Sequence, residues 1–137
     1  MTLALDSSAL IRRYVPGAER GLVLSAMENA SQWCASELAR TEVMMALHRL
    51  AGSNVAAQDL WAAARADWDA FVVVPVDKRC LAAATQIGSA YGLTTVDAIH
   101  LAAADRLPKP IRYATLDPGQ IPAAAALGFE VVSPLST

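Results

Sequence analysis

The sequence predicts an α/β domain built on a parallel sheet, and three observations lead there. Short apolar runs alternate with helical stretches along the whole chain. The clearest run, Phe71-Val72-Val73-Val74-Pro75-Val76, is β-branched and continuous. A run without polar alternation marks a strand covered on both faces. The length of 137 residues suits one domain with a real core, so residues 1–137 are read as a single domain.

The elements follow in order. Thr2–Leu5 is a first strand, and Asp6 stands at its C-terminal end. Ser7 or Ser8 can cap a helix through Tyr14, which Pro16-Gly17 breaks. Ala18–Ala30 reads as a second helix with Leu22 and Met27 on its apolar side. Gln32–Ala35 is a brief strand. Ser36 and Glu37 then start a helix, Glu37–Ala51, with Leu38, Glu42, Met45 and Arg49 on one stripe. Gly52-Ser53-Asn54 closes it and caps the next, Val55–Ala70, which carries Leu60, Trp61, Ala64 and Trp68, so the pair reads as a helical hairpin. After the Phe71–Val76 strand, Asp77 caps a helix through Tyr91, and Gly92 ends it. Thr94 or Thr95 caps an almost wholly apolar helix that runs to Arg106, with Asp97 in its first turn. Ile111–Leu116 is a strand ending at Asp117-Pro118-Gly119. Pro122–Leu127 is a short helix with Pro122 in its first turn, and Phe129–Val132 is the last strand.

Composition narrows the function classes. Hydrophobic residues make up 55 % of the chain and mean hydropathy is +0.34, values that alanine inflates. No apolar run approaches the roughly 18 residues of a membrane span. The first residues carry no basic region of a signal peptide. Cys34 and Cys80 fit no metal or redox spacing and read as buried thiols, so a cytoplasmic protein is expected. Net charge is −2, which leaves no global basic footprint for nucleic acid, so any such contact needs a local patch or metal ions.

Four acids stand out. Asp6 and Asp117 are each the first acid after a strand, Asp97 opens a helix, and Glu42 borders an apolar helix face. Singly, each reads as a cap, a turn residue or a dipole partner. Together, in apolar surroundings, they need cations, because burying several carboxylates unpaired is very costly. Oxygen donors without a Cys or His set select Mg²⁺ or Mn²⁺.

The residues that carry these acids resemble a known family. Asp6 with Ser7-Ser8, then Ser36-x-x-x-x-Thr41-Glu42-Val43 followed by Ala46-Leu47, then Thr95-x-Asp97-Ala98-x-x-Leu101-Ala102-x-Ala104, then Thr115-x-Asp117, together resemble the PIN domain. Within it they are most similar to the VapC toxins of bacterial toxin–antitoxin pairs. The resemblance runs from Asp6 to Gly128-Phe129-Glu130-Val131, and its third block is the most specific piece. It implies a PIN-like three-layer α/β/α domain with a central, mostly parallel five-stranded sheet. It also implies a Mg²⁺-dependent endoribonuclease, with Mn²⁺ a possible substitute, inhibited by a cognate VapB-type antitoxin. By position, Asp6, Glu42, Asp97 and Asp117 correspond to the family's acidic cluster and Thr115 to its polar companion, with Ser7 in support. One departure is that Pro118-Gly119 follows Asp117 where many relatives continue with a basic residue, which bears on a phosphate contact at that corner. A homodimer is implied by the family and agrees with the apolar excess.

On this reading Asp6, Asp97 and Glu42 hold a first ion, while Asp117 with Thr115 orients a water or completes a second, weaker site. Arg12 and Arg13 are candidates for RNA phosphates, against the alternative of a solvated helix face. Arg49 reads as structural or as an ion-pair partner. His100 reads as a packed structural histidine in preference to an acid–base group. Trp61 and Trp68 read as core or interface. The hairpin and the first two helices are candidates to grip an antitoxin helix. A non-catalytic PIN-like module that binds RNA or protein is the rival reading. A haloacid-dehalogenase-type phosphatase is disfavoured, since Ser8 stands where its second Asp would be.

Overall fold

The computed structural model describes residues 1–134. Strands β1 (Thr2–Leu5), β2 (Gln32–Ser36), β3 (Val72–Val74), β4 (Ile111–Ala114) and β5 (Glu130–Val132) form one sheet in the order β3-β2-β1-β4-β5. Every neighbouring pair is parallel, so the sheet expected to be mostly parallel is parallel throughout. The helices are α1 (Ser7–Ile11), α2 (Arg20–Glu28), α3 (Glu37–Leu50), α4 (Asn54–Trp68), α5 (Lys78–Tyr91), α6 (Thr95–Asp105) and α7 (Ile121–Ala126), the last preceded by a 3₁₀ turn at Pro118–Gln120. No helix is long and apolar enough to cross a membrane.

The sheet is covered on both faces, as its apolar strands require. Side chains alternate along β1: Leu3 and Leu5 enter one core with Leu10, Met27, Val43 and Leu47, while Ala4 enters the other with Leu101, Tyr113 and Phe129. Three layers result. Helix α6 is the most deeply seated, with Ala98 to Leu101 and Ala102 to Ala104 all buried. Its alanines let it lie close against α5 and β2. Cys34 and Cys80 are free, buried thiols, and burial pushes Cys34 up to about 11.

Several boundaries differ from expectation for local reasons. Helix α1 ends at Ile11 rather than Tyr14. Arg12, Arg13 and Tyr14 donate to carbonyls three residues back, a tightened last turn, and Pro16 forbids continuation. Asp6, not Ser7 or Ser8, caps α1, accepting from Ala9 N at 2.9 Å. Strand β3 is confined to Val72–Val74 because it pairs only with β2 and Pro75 has no N–H to give. On α3 the buried face is Ala39, Val43, Ala46 and Leu47, so the stripe of Leu38, Glu42, Met45 and Arg49 lies along its edge and Met45 is exposed.

Candidate active site

The topology creates a crevice. β1 is flanked by β2 on one side and β4 on the other, because the chain builds β2 and β3 outward and then crosses back to β4 and β5. Open α/β sheets bind ligands at such a switch point, beyond the carboxyl ends of the strands. Leu5 and Ala114 are in register. Asp6 and Thr115, the next residues of these neighbouring strands, therefore emerge side by side.

Asp6 is buried and fully engaged. Its Oδ1 accepts from Ser8 Oγ at 2.7 Å and from Ala9 N at 2.9 Å. Its Oδ2 accepts from Thr115 Oγ1 at 2.7 Å and from Gln120 Nε2 at 2.9 Å. Burial pushes the carboxyl above its ordinary value, and the bonds from Thr115, Ala9 and Ser8 oppose but do not cancel it. Thr115 is thus committed to Asp6, and its oxygen also accepts from Asp117 N at 3.0 Å.

Asp97 lies in the first turn of α6, which Thr94 caps by accepting from Asp97 N at 3.3 Å. Its Oδ1 accepts from Gln120 Nε2 at 3.0 Å. Asp117 caps the 3₁₀ turn by accepting from Gly119 N at 2.9 Å, and this brings its carboxylate to Asp97. Burial, then the hydrogen bond and charge of Asp117, then the charge of Asp6 push Asp97 up to about 6. The folded protein therefore holds this proton more tightly than the unfolded chain, whose Asp titrates near the ordinary 3.8. The contribution of Asp97 to the stability of the metal-free protein is expected to be full below about pH 4 and to be lost as pH rises to about 6. That is opposite to the trend from a paired carboxylate. Thermal unfolding in EDTA across this range checks it, and Asp97→Asn should flatten the slope.

Glu42 stands with a second group. Its Oε1 accepts from Ser7 Oγ at 2.9 Å and from His100 Nε2 at 2.5 Å, and Ser36 Oγ lies 3.0 Å from His100 Nδ1. A carboxylate only accepts, so the proton on Nε2 faces Glu42. Burial alone would raise the Glu42 carboxyl, but the bonds from His100 and Ser7 hold it below its ordinary value. All four acids act on one buried group: after burial itself, Asp6, Asp97, Asp117 and Glu42 each push the Tyr113 hydroxyl upward.

The basic candidates lie differently. Arg13 donates to Asp67 at 2.8 Å and sits over the Trp33 ring, and Arg12 donates to Pro16 O at 3.3 Å. Arg13 thus ties the turn after α1 to α4. Arg49, expected as structural or paired, is exposed and has no ion-pair partner among the described residues. It lines an open groove of about 240 Å³ with Ser7, Ile11, Glu42 and Met45. His100, read as a packed structural histidine, is buried and is the partner of Glu42. One participant was not found in the sequence. Gln120 bridges Asp6 and Asp97, and no spacing pattern singles it out. Its only sequence signal is its position three residues after Asp117, just before the final helix.

The donor set suits a hard divalent cation. The oxygens are carboxylate, and the crowding that raises Asp97 is an electrostatic demand that a cation meets. Among the described residues no three His, Cys, Asp or Glu side chains close a ready-made cage. An open set fits Mg²⁺, which keeps several waters and takes only one or two carboxylates.

Known proteins share this architecture. Residues 3–112 match the PIN domain family. Ribonuclease VapC46 of Mycobacterium tuberculosis is 35 % identical over 131 residues, covering 95 % of each chain. Among solved structures, FitAcB from Neisseria gonorrhoeae superposes with a TM-score of 0.75 at 17 % identity, covering 98 % of this chain and 99 % of that one. A toxin-antitoxin complex from Klebsiella pneumoniae gives 0.71 at 20 % identity, with coverage of 98 % and 99 %. At such identities the solved structures speak for the fold, and the sequence matches speak for descent. Those matches span most of the chain, and they place it in the PIN domain family, among the VapC proteins.

Proposed function

We propose that this protein is a Mg²⁺-dependent endoribonuclease, the toxin of a toxin–antitoxin pair, restrained by a cognate VapB-type antitoxin. The observation that carries the reading is the convergence of Asp6, Asp97 and Asp117 at the switch point of the sheet, where Asp97 is pushed up to about 6. A non-catalytic binding module has no use for so costly a cluster. Asp6, Asp97 and Asp117 would hold Mg²⁺, with Mn²⁺ as substitute. The ion when bound would supply charge neutralisation at a phosphate and an acidified water.

The chain's own groups do the rest. Both protein donors to Glu42 fall on Oε1, so Oε2 has no protein donor among the described residues and is free to accept from a water. His100, fixed by Ser36, keeps that carboxylate in place. The groove between α1 and α3 leads past Glu42, and Arg49 on its wall offers a cation to an RNA phosphate. VapC46 is named a ribonuclease, and the Klebsiella neighbour is a toxin-antitoxin complex, which supports RNA as substrate and an antitoxin as partner. We extend the proposal to a homodimer in the cytoplasm.

The test is cleavage of structured RNAs, tRNA included, by purified protein with Mg²⁺ or with EDTA. Cleavage at few sites, lost in EDTA, is expected. A folded protein that neither cleaves nor binds Mn²⁺ would overturn the nuclease reading in favour of a binding module.

A further inference from the structure

Gln120 is fully buried, yet nothing in a packed core requires an amide there. Its carboxamide is satisfied at every end. Nε2 donates to Asp6 Oδ2 at 2.9 Å and to Asp97 Oδ1 at 3.0 Å, and Oε1 accepts from Tyr113 OH at 2.7 Å. The carboxylates can only accept, so the nitrogen must face them and the tyrosine hydroxyl must donate to the oxygen. Tyr113 is itself buried and points from β4. The amide is therefore clamped from behind and spends one hydrogen on each acid.

The two acids depend on it unequally. Asp6 has Ser8, Ala9 N and Thr115 to hold it. Asp97 is only partly buried on the first turn of a helix, next to the like charges of Asp117 and Asp6. Gln120 Nε2 is the only side-chain N–H donor to its carboxylate among the described residues, with the Thr94 hydroxyl as one further favourable partner on its own helix. Without the Gln120 tether nothing joins Asp97 to Asp6, and their like charges push them apart.

We infer that Gln120 is a positioning residue: it ties Asp97 to Asp6, and by fixing their separation and aim it sets how tightly the pair takes a divalent cation. The inference rests on the metal-site reading above. Partners that orient ligands in this way govern metal affinity by about 10- to 100-fold. Gln120→Met keeps the length of the side chain and removes both donors. Tyr113→Phe leaves the amide in place but unclamped.

The experiment is Mn²⁺ titration calorimetry on the full chain, with circular dichroism to establish folding. Gln120→Met should bind Mn²⁺ about tenfold more weakly than the parent, and Tyr113→Phe should show a smaller loss in the same direction. In ¹⁵N spectra the parent should show one slowly exchanging side-chain amide pair that shifts when Mg²⁺ is added and is missing in Gln120→Met. Equal or tighter Mn²⁺ binding by folded Gln120→Met would overturn the inference while leaving the metal site standing. If Gln120→Met does not fold, unchanged affinity in Tyr113→Phe overturns it instead. A parent protein that binds no Mn²⁺ would remove the metal-site reading and this inference with it.

Discussion

Asp97→Asn is expected to cut metal-dependent RNA cleavage by more than about a hundredfold while leaving the metal-free protein as stable as the parent, or more stable. Loss of a group that merely orients a ligand costs about 10- to 100-fold in metal affinity or activity, and Asp97 is assigned as a ligand itself. The stability half of the prediction comes from crowding. Burial, Asp117 and Asp6 all push the Asp97 proton affinity upward, so at neutral pH its charge is held at a cost. Asn keeps the oxygen that accepts from Gln120 Nε2 at 3.0 Å and removes that charge. Cleavage assays with Mg²⁺, beside urea unfolding in EDTA, measure both halves. A variant that loses activity only because it unfolds would contradict the reading, and so would one that cleaves normally.

Strands and helices were readable in the sequence because their periods and stops are local: the Val72-Val73-Val74 run, Gly92 in the left-handed conformation at φ 65°, and Asp77 capping α5 all act within a few residues. The four acids were readable because a carboxylate after an apolar run is conspicuous. Of their partners, Thr115 and Ser7 were named through the resemblance, whereas Gln120 and the Ser36–His100 pair were not. Ser36 and His100 are 64 residues apart, and Gln120 lies 114 residues from Asp6. Such pairs exist only once β1, β2 and β4 are neighbours in the sheet. The ion pair of Arg13 with Asp67, 54 residues away, was hidden for the same reason. Helix edges such as Met45 misled because alanine packs as well as larger residues do, and shifts the buried face by one position.

Asp6 should behave unlike Asp97, although both belong to the same cluster. Asp6→Ala is expected to abolish cleavage and also to destabilise the fold by about 2–4 kcal/mol. Asp6 is the joint of the site: it caps α1 through Ala9 N and accepts from Ser8, Thr115 and Gln120, which come from two distant parts of the chain, α1 and the segment after β4. Removing the acceptor strands buried donors, each worth about 1–3 kcal/mol when left without a partner. The total falls short of their sum because Gln120 keeps Asp97 and the Ser8 hydroxyl, only partly buried, can donate to water. Relief of a buried charge also offsets part of the loss, since burial holds the Asp6 carboxyl above its ordinary value. Asp6→Asn separates these contributions. It retains one acceptor oxygen but turns an N–H₂ toward the donors on the other side, so it should lose cleavage as completely as Asp6→Ala and stability by a smaller amount. Urea unfolding of the three proteins in EDTA gives the order: parent most stable, then Asp6→Asn, then Asp6→Ala. An alanine variant within about 0.5 kcal/mol of the parent would mean that the bonds converging on Asp6 contribute nothing net, and that the residue is present for chemistry alone.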